Sequence, residues 1–136
     1  MQMEILQSGF QLIQYHSSDH KLSDFDLPSL IATMKGSYSW ANGELNALIL
    51  LKDPDKKIIL TAMHEGTEIE SFQSNDSVTL KILEGKLRFH VLKNSITIRK
   101  DQLMTLKQHI GYRLTTSEET IFLLTISNGS SGLVSN

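Results

Sequence analysis

The sequence of 136 residues contains no cysteine, which excludes disulfides, thiolate metal ligands and thiol nucleophiles. Proline occurs twice and glycine eight times, too few for a repetitive Pro- or Gly-rich chain. No run of about 18 apolar residues is present, so no membrane-spanning helix is expected. The opening MQMEILQSGFQLIQ lacks the basic region and compact apolar stretch of a secretory signal, and a cytoplasmic location is the expectation. There is no Gly-rich phosphate loop, no G-x-S-x-G and no H-E-x-x-H; His64-Glu65 is followed by Gly-Thr-Glu instead. What remains is the composition of one globular domain, 40% hydrophobic and 21% charged.

The net charge of -2 conceals an uneven distribution. From Lys81 to Arg113 eight Lys and Arg face two acids, a local balance of +6, while the rest of the chain balances at -8. A basic middle of this kind suits an anion site, a subunit contact or a solvated strand face. A polyanion contact through Lys86, Arg88, Lys93 and Arg99 is the weakest of these readings. The pI of 6.2 and the lack of aromatic platforms argue against nucleic acid.

Residues 1–44 read as an arm with one short helix. In DFDLPSLIATMKG, Asp26 is a good N-cap, Pro28 suits the first turn and Gly36 is placed to end the helix. Leu27, Leu30, Ile31 and Met34 then share a face, and Trp40 is expected to anchor the arm by packing. From residue 45 the pattern changes to strands: LNALILL, KKIILTAM, SVTLKILEG, KLRFHVL, SITIRK, QLMTLK, YRLTT and ETIFLLTIS. Asp53-Pro54-Asp55 marks a turn, and Lys93-Asn94 is the expected two-residue hairpin, with Asn at positive φ. Many short strands at regular spacing indicate an antiparallel barrel or sandwich over residues 45–127. The Gly/Ser-rich end, residues 128–136, reads as a mobile tail.

A period of two fixes which side chains face in. Val78, Leu80 and Ile82 share one face, Leu87, Phe89 and Val91 another, and Ile96 sits with Ile98. Lys86, Arg88, His90, Thr97 and Arg99 fall outside. IFLLTI and KIIL are apolar on both faces, which predicts a second layer or a partner subunit, and a homodimer is expected on that ground.

The stretch AMHEGTEIESFQSNDSVTLKILEGKLRFHV, followed by ITIRKDQLMTLKQHIGYRLTTSEETIFLLTI, resembles the two motifs of a small cupin, over roughly Leu45 to Ser127. FDLPSLI, the Trp40 region and LILLKDP are similar to the lead-in of bacterial single-domain cupins of unassigned function. The resemblance implies an all-β, cupin-like double-stranded β-helix (jelly-roll) barrel behind a short N-terminal helical arm. It also implies a position for each motif residue. Gly85 takes the closing Gly of the first motif, Val78 its Glu, and the His pair falls within Ser71, Phe72, Gln73 and Ser74. In the second motif Asp101 takes the opening Gly, Lys107 the Pro, His109 the inner Gly, Tyr112 the metal-binding His and Thr116 the Asn. All four metal-ligand positions thus carry other residues, so no metal and no cofactor are expected. Phe and Val have no lone pair to offer, and a phenol is a poor ligand unless ionised.

Rebuilding a metal site from His64, His109 and Glu70 is an alternative that nothing in the spacing requires, and His16 and His20 lie in a polar arm. Two functional readings follow. The first is a metal-free cupin barrel that binds a small molecule or serves as a structural or dimerisation module, its pocket lined by Phe72, Gln73, Val78 and Tyr112. The second is a cupin-type enzyme of the isomerase or oxygenase class, using non-standard ligands or metal-independent acid–base chemistry. No catalytic residue stands out for it.

Overall fold

The computed structural model describes residues 10–14, 22–43, 45–71, 76–107 and 110–128. Two helices, α1 (Leu27–Lys35) and α2 (Tyr38–Ala41), precede most of the strands. The strands are β1 (Phe10–Gln14), β2 (Leu45–Asp53), β3 (Lys56–Met63), β4 (Glu68–Ser71), β5 (Asp76–Glu84), β6 (Lys86–Val91), β7 (Asn94–Arg99), β8 (Leu103–Leu106), β9 (Tyr112–Thr115) and β10 (Thr120–Asn128). They form a six-stranded sheet in the order β1-β2-β3-β10-β5-β8 and a four-stranded sheet in the order β4-β9-β6-β7. From β2 onward every pairing is antiparallel.

The arm carries more than the single helix its sequence announces. β1 adds a parallel strand beside β2, Phe10 opposite Leu45, and Ser37 caps the short α2 by accepting from Trp40 N. α1 starts as expected: the Asp26 carboxylate accepts from Ser29 N and, at 2.9 Å, from Ser29 Oγ. Gly36 ends it at φ -88, without the left-handed conformation that glycine permits.

One hairpin is corrected by a residue. Asn94 pairs with Val91, so the two-residue turn is Leu92-Lys93 and not Lys93-Asn94. The positive φ of 56° falls on Leu92, which is 84% exposed. Asn sits one position too late to supply it. The alternation expected along β5 and β6 holds, with Leu80, Ile82 and Leu87 wholly buried.

Two apolar clusters account for the strands that are greasy on both faces. The barrel interior packs Ile59, Met63, Leu80, Ile82, Leu87, Phe89, Leu114, Phe122 and Leu124 between the sheets. On the outer face of the large sheet Leu48, Leu50, Leu60, Ala62 and Ile121 lie beneath Met34 and Trp40, flanked by Leu27, Leu30 and Ile31. Of the second layer or partner subunit expected to cover KIIL and IFLLTI, the chain's own arm forms a second layer over this face. Each fully buried Leu or Ile contributes roughly 1.5–3 kcal/mol, so the arm is integral to the fold.

A polar hub fixes the arm in place. Buried Asn46 accepts from Ser39 Oγ at 2.8 Å and donates to Ser37 Oγ at 2.8 Å and to the Met34 carbonyl oxygen at 3.2 Å. Lys35 bridges to Glu119 at 2.9 Å and Glu84 at 3.1 Å. The Glu119 hydrogen bond is the first cause of its raised pKa; burial opposes the shift and Glu84 adds to it.

The barrel end beside this hub is closed by tight backbone turns. Gly85 stands at φ 82, and a Cβ there would overlap the Glu119 carbonyl oxygen and the Thr120 backbone. Asp101 stands at φ 68, with its N–H on the Ile82 oxygen at 2.8 Å. Both left-handed residues fall where the two cupin motifs place glycine.

Candidate functional site

The opposite end of the barrel is built differently. β7 and β8 are the terminal strands of their sheets, and among the described residues no strand joins them. A cavity of about 210 Å³ lies at this seam, lined by Phe89, Val91, Asn94, Ser95, Ile96, Met104, Thr105 and Leu106. Phe89, Met104 and Leu106 belong to or pack against the barrel core, so the cavity reaches toward the interior. Ile96 has inward parity like Ile98, yet is 51% exposed while Ile98 is 4% exposed. The difference arises because, among the described residues, no strand lies beyond β7 to cover it.

The residues expected from sequence take two places. Val78 and Tyr112 are both buried in the barrel core, on strands of different sheets, and neither lines the cavity. Each stands one pairing behind it: Val78 is opposite Leu106 and Tyr112 is opposite Val91. Tyr112 also stacks on Phe89, ring centroids 5.2 Å apart. Phe72 and Gln73 lie outside the described residues, as do His16, His20 and His109. None of the eight residues lining this cavity was named as pocket lining from sequence. The available signal was the pair of short strands flanking a turn, which makes two sheet edges meet.

The donor chemistry at the described cupin ligand positions does not fit a metal ion. Val78 has no lone pair, and Tyr112 is a phenol packed against an aromatic ring. Among the described residues no three His, Asp or Glu side chains converge as an ion would need. His64 is engaged elsewhere. Its ring stacks on Trp40 at 3.5 Å, and Nε2 lies 3.0 Å from the Trp40 carbonyl oxygen, which fixes the proton on Nε2. The His64 carbonyl oxygen accepts from Thr67 Oγ1 and Thr116 Oγ1 at 2.7 and 2.8 Å. His64 therefore pins the closed end, away from the cavity, while Glu70 is exposed on the outer face of β4.

That outer face carries the basic surface read from sequence, and two of its arginines are engaged. Arg88 donates to Thr97 Oγ1 and Ser95 Oγ, each at 3.0 Å, and Arg113 meets Glu68 at 3.4 Å. His90 bonds Thr115 Oγ1 at 3.1 Å. Desolvation first, then the Arg113 and Arg88 cations, hold its imidazole below its ordinary pKa. Glu68 and Glu70 interrupt the positive charge, so the face is mixed, unlike the basic track expected of a nucleic-acid surface. Among the described residues no helix is long and apolar enough to cross a membrane.

Known proteins match in fold and not in sequence. No family model and no curated protein matches the chain. Solved structures do. A conserved protein of unknown function from Streptococcus pyogenes superposes with a TM-score of 0.60 at 19% identity, covering 63% of this chain and 75% of that one. The cupin domain of Schizosaccharomyces pombe Cnp3 gives 0.61 at 18% identity, covering 67% and 69%. An RmlC-like cupin from Shewanella frigidimarina gives 0.59 at 15% identity, covering 62% and 77%. At such identities the likeness speaks for architecture alone. Two antiparallel sheets in jelly-roll order, motif glycine conformations at Gly85 and Asp101, and these neighbours together establish that the chain has the all-β cupin fold.

Proposed function

We propose that this protein is a cupin barrel that works without a bound metal and holds a small, mostly apolar molecule in the cavity at the β7–β8 seam. The observation that carries the reading is the cavity itself, about 210 Å³ in volume and walled mainly by Phe89, Val91, Ile96, Met104 and Leu106. Its volume exceeds the ~150 Å³ that suffices for benzene in an engineered apolar cavity. It falls short of the ~300 Å³ at which drug-sized sites begin. A single ring or a branched chain of similar bulk fits.

Val78 and Tyr112 support the metal-free part. At the positions where cupins carry a Glu and a His, this chain offers an aliphatic side chain and a stacked phenol, so a hydrated ion has poor partners there.

Elemental analysis combined with a thermal-shift screen tests both parts. The expected result is less than stoichiometric transition metal, no change of Tm with EDTA, and stabilisation by small aromatic or branched apolar molecules. A ligand at 100 times its Kd adds about 2.7 kcal/mol. One Fe, Zn, Mn, Ni or Cu per chain, with Tm falling on chelation, would overturn the reading.

A further inference from the structure

The charged residues around the seam carry information about the ligand that the apolar lining does not. No acid lines the cavity. Lys93 and Lys107 are exposed and adjoin the lining residues Asn94 and Leu106 in the chain, one on each side of the seam. Asp53, Asp55 and Asp76 cluster around a separate small pocket that also contains Lys56 and Lys57, and Glu70 lies on the outer face of β4, outside the cavity lining. Among the described residues neither Lys93 nor Lys107 forms an ion pair.

The backbone adds donors. In a two-residue hairpin the closing pair exchanges both hydrogen bonds. With Val91 and Asn94 as that pair, Ser95 and Thr97 turn their N–H groups away from β6. On the other side Ile82 donates to Gln102 O and accepts from Asp101 N, which makes Leu80–Met104 and Val78–Leu106 the bonded pairs. The N–H groups of Leu103 and Thr105 then face outward. Of these four residues, Ser95 and Thr105 also line the cavity.

We propose that the seam cavity binds a small apolar carboxylate, its body against Phe89, Met104 and Leu106 and its anion at the rim between Lys93, Lys107 and the Ser95 and Thr105 amides. The proposal rests on the small-molecule reading above and adds the charge class. A neutral ligand of the same shape leaves both ammonium groups unused. A cationic one meets like charge at both lips. An acidic extended peptide would use the same lysines, but it would also need the apolar floor for only one side chain, while most of the lining is apolar.

The test uses three probes of one shape: phenylacetate, benzyl alcohol and benzylamine. Titrations of the full chain followed by calorimetry and by amide NMR should show phenylacetate binding about fivefold tighter than benzyl alcohol, the scale of two exposed charge contacts, with benzylamine weakest. Added salt should reduce that preference. The double variant Lys93→Gln/Lys107→Gln should abolish the preference while leaving benzyl alcohol binding unchanged, and Ile96→Trp at the rim should block all three probes. Equal binding of phenylacetate and benzyl alcohol would overturn the charge class and leave the cavity reading standing. Failure of every probe to bind would overturn both. Protection of the Ser95 and Thr105 amides by a Glu-rich extended peptide, with none from phenylacetate, would reassign the seam to a peptide and overturn the proposal.

Discussion

The two ends of this barrel solve opposite problems. The closed end is determined by backbone: a glycine with no room for a Cβ, a left-handed Asp101, and His64 held by Trp40, Thr67 and Thr116. The open end is determined by omission, since among the described residues two sheet edges approach without a strand to join them and leave about 210 Å³ between. Rigidity at one end allows incompleteness at the other. Binding residues in β proteins commonly sit on such an end, positioned by the rest of the scaffold.

Substitutions at the two ends should differ in size and even in sign. Gly85→Ala is expected to be the most damaging. Its new Cβ meets backbone atoms of Glu119 and Thr120 that cannot swing aside, and φ is 82. A loss of about 4 kcal/mol follows, read as a collapse of the denaturant midpoint. A loss below 1 kcal/mol would mean that the closed end is as adaptable as the open one.

Asn46→Ala comes next. It removes the partner of Ser37 Oγ, Ser39 Oγ and the Met34 carbonyl oxygen in a buried setting, which should cost about 2–3 kcal/mol. Chemical denaturation would measure this, and a near-neutral result would show that the arm is held by its apolar face alone.

Leu92→Gly, at the open end, should stabilise. The turn requires a positive φ that Leu adopts at a cost of about 1–2 kcal/mol, and the flexibility glycine adds to the unfolded chain offsets part of that relief. The expected net gain is about 0.5 kcal/mol, visible as a small rise in Tm. A fall would assign the exposed Leu92 side chain a contact of its own.

Local and repetitive features were the legible ones. Alternation placed Val78, Leu80, Ile82, Leu87 and Phe89 inside, the Asp26 cap and Pro28 started α1, and the spacing from Gly85 to Asp101 matched two left-handed turns. What escaped was non-local. β1 pairs in parallel with a strand far along the chain, and nothing in FQLIQ names its partner. The cavity exists because β7 and β8 end their sheets, a property of topology and not of any segment, so it was not legible from the positions of Val78 and Tyr112, which lie in the barrel core. The hairpin erred by one because Asn94 suggested the positive φ that Leu92 adopts. Two-sided strands were read as needing a second layer or a partner subunit, since a sequence shows that a face must be covered without showing by what.

The pairing of Trp40 with His64 gives the molecule an internal optical probe. Trp40 is the single tryptophan, 9% exposed, with an imidazole stacked at 3.5 Å. Its emission therefore reports on one thing, the docking of the arm against the closed end. Undocking frees the ring into water and shifts its emission to the red. Monitored beside the far-ultraviolet dichroism of the strands, this signal separates release of the arm from melting of the barrel. Occupancy of the seam at the far end leaves it silent.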